Sequence, residues 1–254
     1  MKRFSFLLAM LALVLALGLA FVSCGGGDGN NNTPGSGTPG GEENPGSGEN
    51  PGGVENPGGG ENPGRYFQYT GNTELTITGY TGTATVITIP SAINGKPVVA
   101  IGNSAFQVFS TFASRLTSVT IPNSVTSIGN DAFYDNRLTS VTIPNSVTSI
   151  GHDAFAENRL TSVYFSNSLT SIESSTFRDN RLTSVTIPNS VTSIGARAFG
   201  DNPLTSVTIP TNVTISYSPG GSFDDEGFED AYRSNNRAGG TYTRPNTNSK
   251  TWTR

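Results

Sequence analysis

The sequence predicts a solenoid, a stack of short coils built mostly from parallel β-strands, and three observations carry that reading. Leu116, Leu138, Leu160, Leu182 and Leu204 recur at one constant interval, and the text between them nearly repeats itself. Within each unit a triplet such as Val119-Thr120-Ile121 alternates apolar and polar residues and then meets Pro122, as a short strand does when a proline ends it. A unit this short, with one such strand, cannot enclose a core alone, so the copies must stack and share one.

Each position in the unit then has a reason. Leu116, Val119, Ile121, Val125, Ile128, Ala132 and Phe133 are expected to point inward, each above its counterpart in the next coil. The alternating residues Ser118 and Thr120 are expected to face outward, as are Ser140 and Thr142, Ser184 and Thr186, and Ser206 and Thr208. Together they form a flat hydroxyl lattice that Tyr164 interrupts. Asn136, Asn158, Asn180 and Asn202, with Ser114 in the same place, fall where the chain turns into the next strand. A buried amide there can bond the turn backbone and repeat coil by coil. Gly129, Gly151 and Gly195 share their column with Glu173, and a column that accepts Glu does not demand a positive φ angle.

One more column is charged. Arg137, Arg159 and Arg181 each follow an acid two places earlier, namely Asp135, Glu157 and Asp179, and Arg115 begins the same column. Two readings stand: an alternating surface ion-pair ladder of small energetic value, or a recognition edge, because arginine is enriched in interface hot spots.

The pattern Leu-x-x-Val-x-Ile-Pro-x-Ser-Val-x-x-Ile-Gly-x-x-Ala-Phe-x-x-Asn resembles the repeat of the BspA-type leucine-rich-repeat surface proteins of bacteria, over Ala84 to Val213. The resemblance implies a curved leucine-rich-repeat solenoid of about six coils, with helical or 3-10 turns between the strands, capped at both ends. It further implies display outside a cell and binding of other proteins, in some members host matrix or plasma proteins, and it implies no catalytic residues. Two coils depart from the pattern. The coil from Ala84 carries an insertion between Pro90 and Ile101 and another between Phe106 and Leu116, where Phe109 and Phe112 read as extra core rather than an exposed patch. The coil from Leu160 has Tyr164-Phe165-Ser166 in place of Thr-Ile-Pro.

Open solenoid ends associate unless covered. Residues 65–83, with Tyr66 to Thr83 as a hairpin, read as the N-terminal cover of repeats spanning 84–213, and residues 214–254 read as the C-terminal one. There Ser222-x-x-Asp225 signals a helix start, and Phe228, Ala231 and Tyr232 give that helix an apolar face. Thr241-Tyr242-Thr243 and Thr251-Trp252-Thr253 are expected to pair as strands with both aromatic rings on one side. The carboxylates Asp224, Asp225, Glu226, Glu229 and Asp230 lack the spacing of a calcium loop and suit the first turn of a helix.

Ahead of the domain, residues 1–23 read as a secretory signal: Lys2 and Arg3 precede an apolar run from Phe4 to Val22. Phe21-Val22-Ser23-Cys24 resembles the lipobox of bacterial lipoproteins, which implies a lipid anchor on Cys24. Residues 24–64 then read as a disordered tether. Gly25 to Gly64 holds 16 Gly, 6 Pro and four copies of Glu-Asn-Pro-Gly, with too little apolar surface to offset chain entropy.

The chain has one histidine and one cysteine, which excludes a cysteine-rich zinc site, a disulfide framework and any mechanism needing two imidazoles. His152 shares its column with Asn130, Ser174 and Ala196, as a solvent-facing variable position does. From Arg65 onward basic and acidic residues balance, so no basic excess points to nucleic acid. The reading is a non-enzymatic module without cofactor or metal, anchored through lipid to a bacterial membrane in the cell envelope. It is expected to bind an extracellular protein, such as a host or matrix protein in adhesion, through the outward strand face: Tyr164, the Arg edge (Arg115, Arg137, Arg159, Arg181) and the rows holding Ser118, Thr120, Thr142, Thr186 and Thr208. The alternatives are a spacer, or binding of carbohydrate or a solid surface through the lattice.

Overall fold

A computed structural model of the chain describes residues 64–108, 115–216, 223 and 226–254. The signal segment, Cys24 and the tether up to 63 lie outside the described residues, as do Phe109, Phe112, Ser114, Ser222, Asp224 and Asp225. Asp230 is exposed and Glu229 is buried on the helix described below.

Each coil contributes two strands, so the solenoid carries two strand rows and has about six turns. The first row contains β3 (Val86–Thr88), β6 (Ser118–Thr120), β8 (Ser140–Thr142), β10 (Ser162–Tyr164), β12 (Ser184–Thr186) and β14 (Ser206–Ile209). The second contains β2 (Leu75–Tyr80), β5 (Lys96–Ile101), β7 (Ser127–Ile128), β9 (Ser149–Ile150), β11 (Ser171–Ile172), β13 (Ser193–Ile194) and β15 (Thr214–Ile215). The sequence reading contains only the first row, because the Ser-Ile pairs of the second are too short to show an alternation. Repeat strands that pair do so in parallel and in register: Val163 sits beside Val141, Val207 beside Val185, and Ile150 beside Ile128.

An antiparallel strand closes each row at a different end. β1 (Phe67–Thr70) folds back on β2 as the expected hairpin. At the other end β16 (Gly240–Thr243) lies antiparallel on β14, placing Thr243 beside Ser206 and Thr241 beside Thr208. The first insertion of the coil from Ala84 forms β4 (Ala92–Ile93), which turns back antiparallel on β5. The two C-terminal strands expected to pair with each other meet only at Thr243 and Thr253. The edge of β14 competes for the Thr241–Thr243 segment and takes it.

The inward set is buried throughout: Leu116, Val119, Ile121, Val125, Ile128, Ala132 and Phe133 and most of their counterparts have almost no contact with solvent. Phenyl rings define the axis of this core. Phe106, Phe133, Phe155, Phe177, Phe199 and Phe223 stack with centroids 4.9, 5.1, 5.6, 5.6 and 5.2 Å apart. These spacings match the roughly 4.8 Å between paired strands, so one ring per coil fills the core without a gap. Phe67 and Tyr80 pack on the stack at the N-terminal end. At the C-terminal end α1 (Glu226–Ser234) brings Phe228 onto Phe223, and Tyr242 and Trp252 both meet Phe228 edge-on. The Tyr232 hydroxyl accepts the Val213 N–H and donates to the Pro210 carbonyl, each at 2.8 Å, which fastens the helix to the last coil.

The return segments are tight turns rather than helices. Two residues per coil take left-handed backbone angles with φ of 53° to 58°: Asp131 and Asp135, Asp153 and Glu157, Ser175 and Asp179, Arg197 and Asp201. Aspartate enters that region more readily than most residues, and two such angles per coil prevent a helical run.

Candidate functional site

The first strand row forms the candidate face. Ser118, Thr120, Ser140, Thr142, Ser184 and Thr186 are exposed, as the alternation requires. Ser162, Ser206 and Thr208 are half-buried, the last two because β16 lies beside them. That cap strand extends the lattice: Thr241 and Thr243 continue the two outward rows, and the Thr208 and Thr241 hydroxyls share a hydrogen bond of 2.8 Å. The sequence reading misses this extension, although Thr-Tyr-Thr carries the same outward-inward-outward alternation as the repeat strands. Two large apolar side chains stand on the face, Tyr164 at 65% exposed and Val86 at 60%. Val86 occupies the Ser118 position of the first coil. The repeat pattern does not flag it, because no Leu-x-x-Val frame precedes it.

Tyr164 is presented by a coil that differs inside as well as outside. Phe165 takes the place of the usual isoleucine and meets Phe177 and Phe199 edge-on. Ser166 replaces the proline and is fully buried; its hydroxyl donates to the Val147 carbonyl at 2.8 Å and accepts the Ser168 N–H at 3.0 Å. Thr176 replaces the alanine, also fully buried, and donates to the Glu173 carbonyl at 2.7 Å. Val163 is half-buried where its counterparts Val141 and Val185 are buried.

The glycine column explains a further difference. As expected, Gly129, Gly151 and Gly195 do not have positive φ. They are small because coils approach closely there: a Cβ on Gly151 would lie 2.6 Å from the Asn130 nitrogen. Gly129, Gly151 and Gly195 donate their N–H to Ile101, Ile128 and Ile172 of the preceding coils at 2.7–2.9 Å. Glu173 makes no such bond to Ile150, and β9 and β11 do not pair, whereas β7–β9 and β11–β13 do. The side chain of Glu173 turns back to accept the Ser171 hydroxyl at 2.7 Å.

The asparagine column holds the coils together. Asn158 Oδ1 accepts the Leu138 N–H at 3.0 Å, while Nδ2 donates to the carbonyls of Phe133 and Phe155 at 2.9 and 3.2 Å. Asn136, Asn180 and Asn202 repeat the arrangement. Each amide therefore bonds its own turn and the preceding coil. This column is structural.

The ion-pair ladder is corrected by the structure. Arg115 pairs with Asp135, at 2.7 Å, on the next coil rather than with a neighbour in its own. Arg137, Arg159 and Arg181 are exposed and form no ion pair among the described residues. The acids expected to serve them are held elsewhere. Arg178 reaches Glu157 at 3.0 Å and Asp153, Asp179 and Asp201 at 3.9 Å, and Arg197 holds Asp201 at 2.7 Å. Tyr134 donates its hydroxyl to Glu157 at 2.6 Å. That bond, with Arg178 beside it, holds the Glu157 carboxyl below its ordinary range despite partial burial. Burial, and then the Glu157 carboxylate, pushes the Tyr134 hydroxyl up to about 12. Burial raises Asp135 and Asp153 against the opposing pull of Arg115 and Arg178. The sequence carries a signal for Arg178 that the ladder reading does not use: its column otherwise holds Tyr134, Ala156 and Gly200, so a lone cation stands among acids of three coils.

His152 is exposed, as its column predicts. Among the described residues there is no group of three metal-ligating side chains, and no helix is long and apolar enough to cross a membrane.

A repeat stack with a regular polar face and two closing caps defines a leucine-rich-repeat scaffold of the bacterial surface type. The chain belongs to the BspA-type leucine-rich-repeat family, whose model matches residues 99–219 in six copies. It is similar to the T. pallidum leucine-rich repeat protein, at 34% identity over 59% of this chain and 72% of that one, with a TM-score of 0.53. A leucine-rich cell surface protein from Faecalibacterium prausnitzii matches at 28% identity over 62% of this chain and 58% of its own length, TM-score 0.36. The pneumococcal vaccine antigen PcpA matches at 20% identity over 62% of this chain and 51% of its own, TM-score 0.45. The chain thus spans little more than half the length of these last two. No curated protein matches it. Proteins of this family and fold are typically non-enzymatic scaffolds for protein interaction.

Proposed function

We propose that this protein is a lipid-anchored module of the bacterial surface whose first strand row binds an extracellular protein partner without catalysis. The observation that carries the reading is Tyr164: a ring 65% exposed at the middle of a face lined by short hydroxyl side chains apart from Val86 in the first coil. An aromatic ring held on a rigid strand supplies contact area at little entropic cost and anchors interfaces. The same ring stands proud of the lattice and spoils flat contact with a solid. Parallel coils supply the extended surface around it.

The test is binding of the purified chain to candidate matrix and plasma proteins, and to glycan and ice surfaces, repeated with Tyr164→Ser. Protein binding that weakens with the substitution supports the reading. Retained or improved adsorption to a glycan or solid, with no protein bound, favours the lattice alternative, and no binding to either leaves a spacer. The anchor is tested separately. Metabolic palmitate labelling is expected to disappear in Cys24→Ser and the protein to leave the membrane fraction, whereas retention of both contradicts lipidation.

A further inference from the structure

The Arg row has an asymmetry that the repeat pattern does not explain. By the sequence offset of Arg115 and Asp135, each arginine of the row has a corresponding acid on the next coil: Glu157 for Arg137, Asp179 for Arg159, and Asp201 for Arg181. Among the described residues only the first of these four pairings is made. Arg178 rises from the return turn of a single coil and draws Glu157, Asp179 and Asp201 toward itself, and Arg197 also holds Asp201. Three guanidinium groups on consecutive coils are left exposed and without an ion pair, each just ahead of the outward serine of its strand, Ser140, Ser162 or Ser184.

From this we propose that the row Arg137, Arg159 and Arg181 is the docking edge for an acidic, extended segment of a protein partner, lying along the stack beside the strand face. The inference rests on the strand-face reading and names the chemistry of its partner. Guanidinium groups bind carboxylates in paired hydrogen bonds and keep their charge at any physiological pH. Neighbouring coils set the groups roughly 4.8 Å apart, within the reach of carboxylates borne on an extended chain. Two of the acids of the neighbouring coils are already held, Glu157 by Arg178 at 3.0 Å and Asp201 by Arg197 at 2.7 Å, and Asp179 lies 3.9 Å from Arg178. Arg178 is thus a positioning residue: it gathers acids of three coils around one guanidinium, with Glu157 at 3.0 Å the nearest, and the row is left without an ion pair.

The probe is a fluorescently labelled decaglutamate peptide, titrated onto the full chain at low and at raised salt, with decalysine and a sulfated oligosaccharide as the other arms. Decaglutamate is expected to bind at low salt and to weaken as salt rises, and decalysine is expected not to bind. The triple variant Arg137→Gln, Arg159→Gln, Arg181→Gln is expected to raise the dissociation constant roughly tenfold, the sum of three exposed ion pairs. Arg115→Gln, already committed to Asp135, is expected to change it less than about twofold on the same grounds. Arg178→Ala is expected to weaken binding too, although it removes no arginine of the row, because the released carboxylates turn to the row. Should the triple variant fail to fold, Arg159→Gln alone, with an unchanged unfolding midpoint, takes its place. The proposal is overturned if decaglutamate does not bind at low salt, if Arg115→Gln costs as much as the triple variant, or if the sulfated oligosaccharide binds more tightly than the peptide. Tyr164→Ser separates the two readings: it is expected to weaken binding of a protein partner and leave decaglutamate binding intact, whereas the triple Arg variant is expected to weaken decaglutamate binding.

Discussion

The coil from Leu138 and the coil from Leu160 occupy neighbouring places in the stack and share the leucine, phenylalanine and asparagine columns, yet only the second departs from the repeat. In the first, Val141, Ile143, Pro144 and Ala154 fill the usual places and are buried, and Gly151 bonds back to the preceding coil. In the second, Phe165, Ser166, Thr176 and Glu173 replace their counterparts, and the second strand row breaks between β9 and β11. The core column still runs straight through, with Phe155 and Phe177 stacked at 5.6 Å. The solenoid therefore tolerates a rebuilt coil as long as the rings and the Asn amides stay in line. The same coil carries Tyr164 outward and Arg178 on its return turn, so irregularity and candidate function sit together.

The two coils are expected to depend equally on the leucine column. Leu138 and Leu160 are both fully buried. Replacing either by alanine is expected to cost about 2 to 5 kcal/mol in denaturant unfolding, with the two values alike. A cost at Leu160 below half a kilocalorie, by order of magnitude, contradicts a shared buried column.

Next comes the amide that ties the two coils' neighbours together. Asn158→Ala removes the acceptor for the Leu138 N–H and the donor to the Phe133 and Phe155 carbonyls. Leaving those buried groups unpaired is expected to cost about 2 to 3 kcal/mol, read from the same unfolding curves. At the glycine column the two coils are expected to differ, by a smaller amount. Gly151→Ala forces a methyl group toward the Asn130 and Gly129 backbone and is expected to destabilise by about 1 to 3 kcal/mol. Glu173→Ala, in a junction that already accommodates a Cβ, is expected to change stability by less than about half a kilocalorie.

Much of this is legible in the sequence, and what is not has a physical cause. The repeat period reveals the stack, the inward columns and the buried Asn amides, because each depends on identity repeated at a fixed spacing. The closing strand β16 is recognisable as a strand, but nothing in Thr241-Tyr242-Thr243 tells which free edge it will meet, and its neighbour is β14 rather than the Trp252 segment. Read along the chain, the Arg column and the acids two places before it form an alternating ladder, while the one rung that forms among the described residues joins Arg115 to Asp135 of the next coil. Arg178 escapes notice because a residue that breaks a column looks like variation. Its effect depends on Asp153 and Glu157 of the preceding coil and Asp201 of the next, a relation visible only once the coils are stacked.

The smallest expected effect is a titration. Tyr134 is pushed up to about 12 by burial and by its bond to Glu157. A tyrosine whose folded value is raised contributes stability that is present below its unfolded value near 10 and lost as pH rises through about 12. Burial also raises Tyr80, Tyr232 and Tyr242, so the ultraviolet titration of the folded protein is expected to show several late tyrosines, the latest of them absent in Tyr134→Phe and brought part of the way down by Glu157→Gln.

Glu173 interrupts the backbone ladder of the second strand row and sets the coil from Leu160 apart from its neighbours. Residue-resolved amide hydrogen exchange tests it directly. The amides of Gly129, Gly151 and Gly195, bonded to Ile101, Ile128 and Ile172, are expected to exchange slowly, and the amide of Glu173 is expected to exchange much faster than all three. Protection of Glu173 equal to that of the three glycines would show a continuous ladder through this coil, with no interruption at Glu173.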